Sequence, residues 1–88
     1  MVEEPSLIEY PCPFPIKVVG RMQKDFAQTV FEIVRRHDPG FDAATMEMRP
    51  SRGGKYLSVT VTVQATSREQ LDSLYRELCD HPMVTMVL

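Results

Sequence analysis

Residues Tyr56–Ala65 constrain the fold more than any other part of the chain, because aliphatic residues occupy every second position of YLSVTVTVQA. Successive side chains of a β-strand point to opposite faces, so this segment predicts a strand with one aliphatic face and one polar face. Such a strand belongs to a sheet that is covered on one side and open to solvent on the other. The remaining segments must therefore provide its neighbouring strands and its cover.

Two segments have the spacing of amphipathic helices, with apolar residues at steps of three and four. The first helix is predicted from Met22 to about His37. The second is predicted from residues 66–70, which offer two alternative capping boxes, to Asp80. Its predicted buried face consists of Leu71, Leu74, Tyr75 and Leu78. The two helices are the predicted cover of the sheet.

Three shorter segments complete the predicted sheet. Residues 1–15 are expected to form an extended, proline-rich arm, since proline lacks the backbone N–H that a central strand needs. Strand one is therefore predicted to begin at about Ile16 and to end at Val19 or Gly20. The second and last strands are predicted over residues 43–49 and 83–88.

The resulting order β-α-β-β-α-β, with a glycine-containing hairpin at residues 51–55 between the middle strands, is the split-βαβ pattern. Right-handed crossovers then predict an α+β, ferredoxin-like two-layer sandwich. Its antiparallel sheet has the order 4-1-3-2, with both helices on one face. We expect a single domain over residues 16–88, preceded by the arm of residues 1–15, since 88 residues suit one core.

The charge and the N-terminal residues bear on location and partners. The formal net charge of −2 provides no general attraction to nucleic acid or to anionic membranes. The first residues are acidic and lack the apolar stretch of an export signal, and no segment approaches the roughly 20 apolar residues of a membrane-spanning helix. We therefore expect a cytoplasmic protein that does not bind membranes and that would need a local positive patch to bind nucleic acid, with Cys12 and Cys79 reduced.

The predicted topology separates the side chains that most often carry enzyme and metal chemistry. Cys12 lies at one end of the sheet and Cys79 at the other, and the same holds for His37 and His81. No nucleophile, base and orienting group fall within reach of one another, and no three metal ligands converge. The sequence therefore predicts no enzyme activity, no metal site and no cofactor.

Candidate binding residues lie instead on the uncovered face of the sheet. Alternation along strands one and four assigns Lys17, Val19 and Val87 to this face, and Tyr56 begins the polar side of strand three. Apolar residues on an open face are typical of a surface that contacts a second subunit or a protein partner. These four residues are the predicted contact site.

Four segments together resemble the YbeD-like family of small bacterial proteins of unknown function. They are FPIKVVG at Phe14–Gly20, VRRHDPG at Val34–Gly40, Ser51 with GKYLSVTV at Gly54–Val61, and VTMVL at Val84–Leu88. The resemblance extends from Tyr10 to Leu88. It implies a ferredoxin-like fold similar to that of ACT regulatory domains, a bacterial cytoplasmic setting and no established activity.

The preferred hypothesis is a non-enzymatic regulatory or protein-interaction domain that uses the open face or an edge strand to bind a partner or a second copy. The similarity to ACT domains implies an alternative, in which a small amino-acid-like effector binds at a dimer interface near Gly20 and Arg21. RNA binding is a third hypothesis, and it depends on Tyr56 as a single stacking aromatic. Arg52 and Lys55, which flank the hairpin glycines, are candidates for contact with an anionic group.

Overall fold

The structure is a computed structural model that describes residues 10–88, and it consists of a four-stranded antiparallel sheet with two helices packed on one face. In chain order the elements are β1 (Cys12–Arg21), α1 (Phe26–His37), a short 3-10 helix (Ala43–Thr45), β2 (Glu47–Pro50), β3 (Tyr56–Ala65), α2 (Arg68–Asp80) and β4 (Val84–Val87). The strand order β2-β3-β1-β4 is the predicted one, so the ferredoxin-like α+β fold is confirmed. Residues 1–9 of the predicted arm lie outside the described residues.

Strand β1 begins at Cys12, four residues before the predicted start, and it includes Pro13 and Pro15. The N–H of Lys17 donates to the carbonyl of Leu88, so the odd-numbered residues in this part of β1 direct their backbone nitrogen away from β3. Pairing on that side begins only at Leu88, and the two proline nitrogens therefore face a side where no strand follows. The predicted start was wrong because β1 has a strand on both sides only in its second half. In its first half it is an edge strand, where proline is tolerated.

Helix α1 begins at Phe26 and not at Met22, which is exposed. The N–H of Met22 donates to the carbonyl of Lys55 at 2.8 Å, which continues the pairing of β1 with β3 by one residue. A residue held in this extended pairing cannot start a helix. The apolar side chain of Met22 therefore has helical spacing in the sequence without belonging to the helix.

The predicted second strand is also shorter than expected, because residues 43–45 form a 3-10 helix. The Asp42 carboxylate accepts a hydrogen bond from the N–H of Ala44 at 2.9 Å, and this local cap favours the turn over an extended chain. Strand β2 consequently begins only at Glu47.

The side chain of Gln70 joins three elements at one end of the sheet. Ser67 caps α2 by accepting a hydrogen bond from the N–H of Gln70 at 3.0 Å, which is one of the two predicted capping arrangements. The Gln70 amide donates to the carbonyls of His37, at 2.7 Å, and Gln64, at 3.2 Å. Its oxygen accepts from the N–H of Thr66 at 2.6 Å. The end of α1, the end of β3 and the start of α2 are therefore bonded through one side chain.

The core is a single cluster of buried apolar side chains between the helices and the sheet. From the helices it contains Phe26, Val30, Ile33, Val34, Leu71, Leu74 and Leu78, and from β1 and β3 it contains Ile16, Val18, Leu57, Val59, Val61, Val63 and Ala65. Burial of each large aliphatic side chain contributes roughly 1.5–3 kcal/mol relative to its exposure. Among the described residues no polar or charged side chain is buried, so hydrophobic burial and close packing hold these layers together.

Gly20 lies where this packing is closest. A β-carbon at this position would lie 2.4 Å from the carbonyl oxygen of Met83 and 2.4 Å from Cε1 of Phe26. The start of α1 can therefore approach β1 and the chain before β4 only because residue 20 has no side chain.

We predict that Gly20→Ala lowers the free energy of unfolding by about 1–3 kcal/mol, because the added methyl group overpacks the contact with Phe26. Gly53→Ala is the matched control, since nothing lies within 4 Å of its β-carbon position. Its effect should stay within about 0.5 kcal/mol. Urea denaturation followed by circular dichroism measures both, and equal unfolding midpoints for the two variants would contradict the prediction.

Candidate functional site

The candidate site is the face of the sheet opposite the helices, which we call the open face. Paired residues of neighbouring antiparallel strands point to the same face, so the strand register defines its members. They are Lys17, Val19 and Arg21 of β1, Tyr56, Ser58 and Thr60 of β3, Glu47 and Arg49 of β2, and Met86 and Leu88 on and just after β4, with Pro13, Pro15, Thr62 and Gln64 toward the end of the sheet away from the hairpin.

Two rows of side chains cross the open face from β2 to β4. One row is Arg49, Ser58, Val19 and Met86, and the other is Glu47, Thr60, Lys17 and Leu88. Each row begins with a charged side chain and ends with an apolar one. The apolar ends are accessible, since Met86 is 47% exposed and Leu88 is 62% exposed. The open face thus has a charged edge at β2 and an apolar edge at β4.

Val87 does not lie on the open face, so this part of the predicted site is wrong. It pairs with Val18, which is fully buried, and it packs against the core. The pairing of β1 with β4 changes register between Val19 and Gly20, so alternation counted along one strand does not carry across to the other. Met86 occupies the place beside Val19 that was predicted for Val87.

A shallow hollow of about 300 Å³ on the open face brings together three of the predicted residues, Lys17, Val19 and Tyr56. Arg49 and Leu88 line the same hollow, as do Pro50 and the hydroxyl-bearing residues Ser51 and Ser58. A second hollow, of about 370 Å³, shares Lys17, Arg49 and Ser58 with the first and extends toward Glu47. The first hollow therefore offers two cations, three hydroxyl groups and an apolar wall.

The other predicted site residues lie near the hairpin end of the sheet. Arg21 pairs with Tyr56 and lies at the margin of the open face. Arg52 and Lys55 are exposed in the turn between β2 and β3. Gly20 is different, because it is buried against the core and is not part of the open face. The proposed pair of Gly20 and Arg21 is therefore divided between the two faces of the sheet.

Met86, Leu88 and Arg49 are open-face residues that the sequence analysis did not select. The sequence pattern could have predicted Arg49, because this residue alternates with Glu47 on the charged side of the second strand. It could not have predicted Met86 and Leu88, because the orientation of these two residues depends on the register change in the pairing with β1.

The cysteines lie at opposite ends of the fold, as the topology predicted. Cys12 pairs with Ala65 where α2 is about to begin, and Cys79 is exposed in the last turn of α2. Both thiols are free. Within residues 10–88 no three His, Cys, Asp or Glu side chains are grouped as metal ligands. In that same range, no helix has the length and apolar character needed to cross a membrane.

A polar cluster on the helical side links the ends of α1 and α2. Nε2 of His37 lies 2.7 Å from Oε1 of Glu77, and the Arg36 guanidinium donates to the same carboxylate. Burial lowers the pKa of His37 below its usual 6.5, and the positive charge of Arg36 lowers it further. A neutral His37 with its proton on Nε2 donates to Glu77.

Residues 5–88 match the family described as protein of unknown function DUF493. The chain belongs to the DUF493 family. Among its relatives, a UPF0250 protein of Bordetella pertussis is 66% identical over 85 residues, which cover 97% of this chain and 93% of the relative. A UPF0250 protein of Nitrosomonas europaea is 62% identical over the full length of both chains. The resemblance to the YbeD-like family is confirmed.

Solved structures of low sequence identity share the fold of this DUF493 chain. A solution structure of an H. pylori protein has a TM-score of 0.75 and 17% identity, and the match covers 92% of this chain and 85% of that one. The ACT domain from the GTP pyrophosphokinase of Chlorobium tepidum has a TM-score of 0.64 and 13% identity, with coverage of 86% and 84%. The predicted likeness to ACT domains is therefore a likeness of fold.

The register change at β4 predicts that the same substitution affects stability very differently at two adjacent positions. Val87→Lys should lower the free energy of unfolding by about 1–3 kcal/mol, because it places a charge against the core. Met86→Lys, on the open face, should change it by less than about 0.5 kcal/mol. Urea denaturation of both variants measures this difference. A larger loss for Met86→Lys than for Val87→Lys would show that the assignment of faces is wrong.

His37→Gln should flatten the dependence of stability on pH between about pH 7 and pH 5. The pKa of His37 is lower in the folded chain than its usual 6.5, so on acidification the unfolded chain takes up the proton first. The free energy of unfolding of the natural chain therefore falls as the pH drops below about 6.5, and the variant lacks this loss. Urea unfolding midpoints across this pH range measure the effect, and parallel curves for the two chains would refute it.

Proposed function

We propose that this DUF493 chain is a non-enzymatic protein-interaction module that binds a partner protein across its open face. The observation that supports the proposal is the combination of an exposed apolar edge with cations and hydroxyl groups on a sheet surface that neither helix covers. Contact surfaces of proteins typically have this composition, an apolar centre or strip beside a polar rim.

The charges of the open face favour a partner other than a second copy of the chain. Lys17, Arg21 and Arg49 lie on it with Glu47 as the one acidic member, although the whole chain has a formal net charge of −2. Two copies that met through this face would bring like charges together, which disfavours the complex. A partner with an acidic surface matches the charge of the face, and we therefore take an acidic protein as the partner.

The edge strands of the sheet are poorly suited to pairing with a strand of another protein. Pro13 and Pro15 remove two amide donors from the free half of β1. On the free half of β3, the N–H of Gln64 is bonded to Asp38 at 3.0 Å. Strands β2 and β4 have only four residues each. These features support docking on the face over extension of the sheet.

The alternatives derived from the sequence have weaker support. An effector site that includes Gly20 itself is disfavoured by the packing of that residue, since a β-carbon there would already meet the ring of Phe26 and the carbonyl oxygen of Met83. RNA-binding domains of this topology stack bases on several aromatic residues of the central strands. In the described strands, Tyr56 is the only aromatic residue on the open face.

Site-specific photo-crosslinking in the native host tests the proposal. A benzophenone amino acid at position 86 should form a discrete adduct with a host protein, because this position lies on the apolar edge of the open face. The matched control replaces Asp72, an exposed residue of α2 on the helical side, and should not form that adduct.

Three outcomes of the crosslinking would contradict the proposal. They are the absence of any adduct from position 86, the same adducts from both positions, and an adduct made only of two copies of this chain. Val19→Glu provides a second check, since a negative charge on the open face beside position 86 should repel an acidic partner and abolish the adduct while the variant retains its circular dichroism spectrum.

A further inference from the structure

We infer that the hollow between Lys17 and Arg49 binds a carboxylate of the acidic partner, and that an aliphatic side chain next to this carboxylate packs on Val19 and Leu88. The inference rests on the proposed function and names the chemistry that the open face recognises. It is carried by the residues that line the smaller of the two hollows.

The charged half of this hollow has the donors that a carboxylate requires. Arg49 pairs with Ser58, which in turn pairs with Val19, and Lys17 lies one row away on β1. Two long cationic side chains therefore flank the hydroxyl group of Ser58. A guanidinium donates two parallel hydrogen bonds to a carboxylate, and an ammonium adds a third charged donor.

The positive charge of this hollow is not balanced within the part of the chain that the structure describes. Neither Lys17 nor Arg49 forms an ion pair with any residue among 10–88. Glu47, the acidic residue of the open face, lines the larger hollow and not this one. The side chains that line the smaller hollow therefore include two cations and no carboxylate.

The apolar half of the hollow distinguishes a protein segment from a simple anion. Val19 and Leu88 form a wall beside the cations, and Leu88 is 62% exposed. Lys17 and Val19 are successive residues on one face of β1, about 7 Å apart. A carboxylate and an aliphatic group with this separation occur at positions i and i+2 of an extended peptide. Phosphate alone would leave the apolar wall unused.

A peptide titration followed by NMR tests the inference on the intact chain. The probe is acetyl-Ser-Glu-Ser-Leu-Ser-amide, added at millimolar concentration to ¹⁵N-labelled protein. Its comparison peptides replace Glu by Gln, or Leu by Ser. We expect saturable shifts of the amide signals of Lys17, Ser58 and Leu88, an affinity about tenfold lower for the Gln peptide, and weaker binding at high salt.

Two double variants locate the effect in the protein. Lys17→Gln with Arg49→Gln should bind the Glu and Gln peptides equally. Arg52→Gln with Lys55→Gln removes the same amount of charge from the exposed hairpin and should keep the preference for Glu. Well-dispersed amide spectra of both variants show that each remains folded.

The inference would be overturned if the unmodified chain showed no saturable shifts with the Glu peptide, or if it bound the Glu and Gln peptides equally. It would also be overturned if the hairpin variant lost the preference for Glu as completely as the Lys17 and Arg49 variant. If inorganic phosphate shifted the same signals as strongly as the peptide, this would identify a general anion site and would likewise overturn the inference. A crosslink from position 86 combined with failure of the peptide test would leave the proposed function standing without this carboxylate site.

Discussion

The antiparallel pairing of β1 with β3 is the constraint on which the rest of the structure depends. Its register runs without interruption from Cys12 opposite Ala65 to Arg21 opposite Tyr56. Side chains alternate along both strands in step, so one surface of the pair packs under the helices and the other is left to solvent. The assignment of each residue of β1 and β3 to the core side or to the open face follows from this one pairing.

Much of the fold could be predicted because its determinants are local. The aliphatic alternation of β3 lies within ten successive residues, and the three- and four-residue spacing of α2 is equally short in range. The order of the elements then leaves few arrangements of the sheet. The local patterns gave wrong element boundaries where pairing with a distant segment decided the conformation. Met22 has helical spacing but is bonded to Lys55, and the prolines of β1 are tolerated because β4 is short.

Of the predicted site residues, only those on the central strands β1 and β3 could be assigned to the correct face from the sequence. Lys17, Val19 and Tyr56 belong to β1 and β3, and their orientation follows from alternation within one strand. Val87 and Met86 belong to a strand whose register changes opposite Val19, and no pattern in their own segment encodes that change. The apolar edge of the open face was therefore assigned to the wrong residue, whereas its central part was assigned correctly.

The bonding of Gln70 has a consequence for how the domain opens. Its amide donates to the carbonyls of His37 and Gln64 and accepts from the N–H of Thr66. The bonds to Gln64 and Thr66 lie within the second β-α unit, whereas the bond to His37 joins that unit to the end of α1 in the first. Separation of the two units would leave the His37 carbonyl without this partner, so the polar contact of Gln70 adds to the β1–β3 pairing in holding the two halves of the pseudo-symmetric fold together.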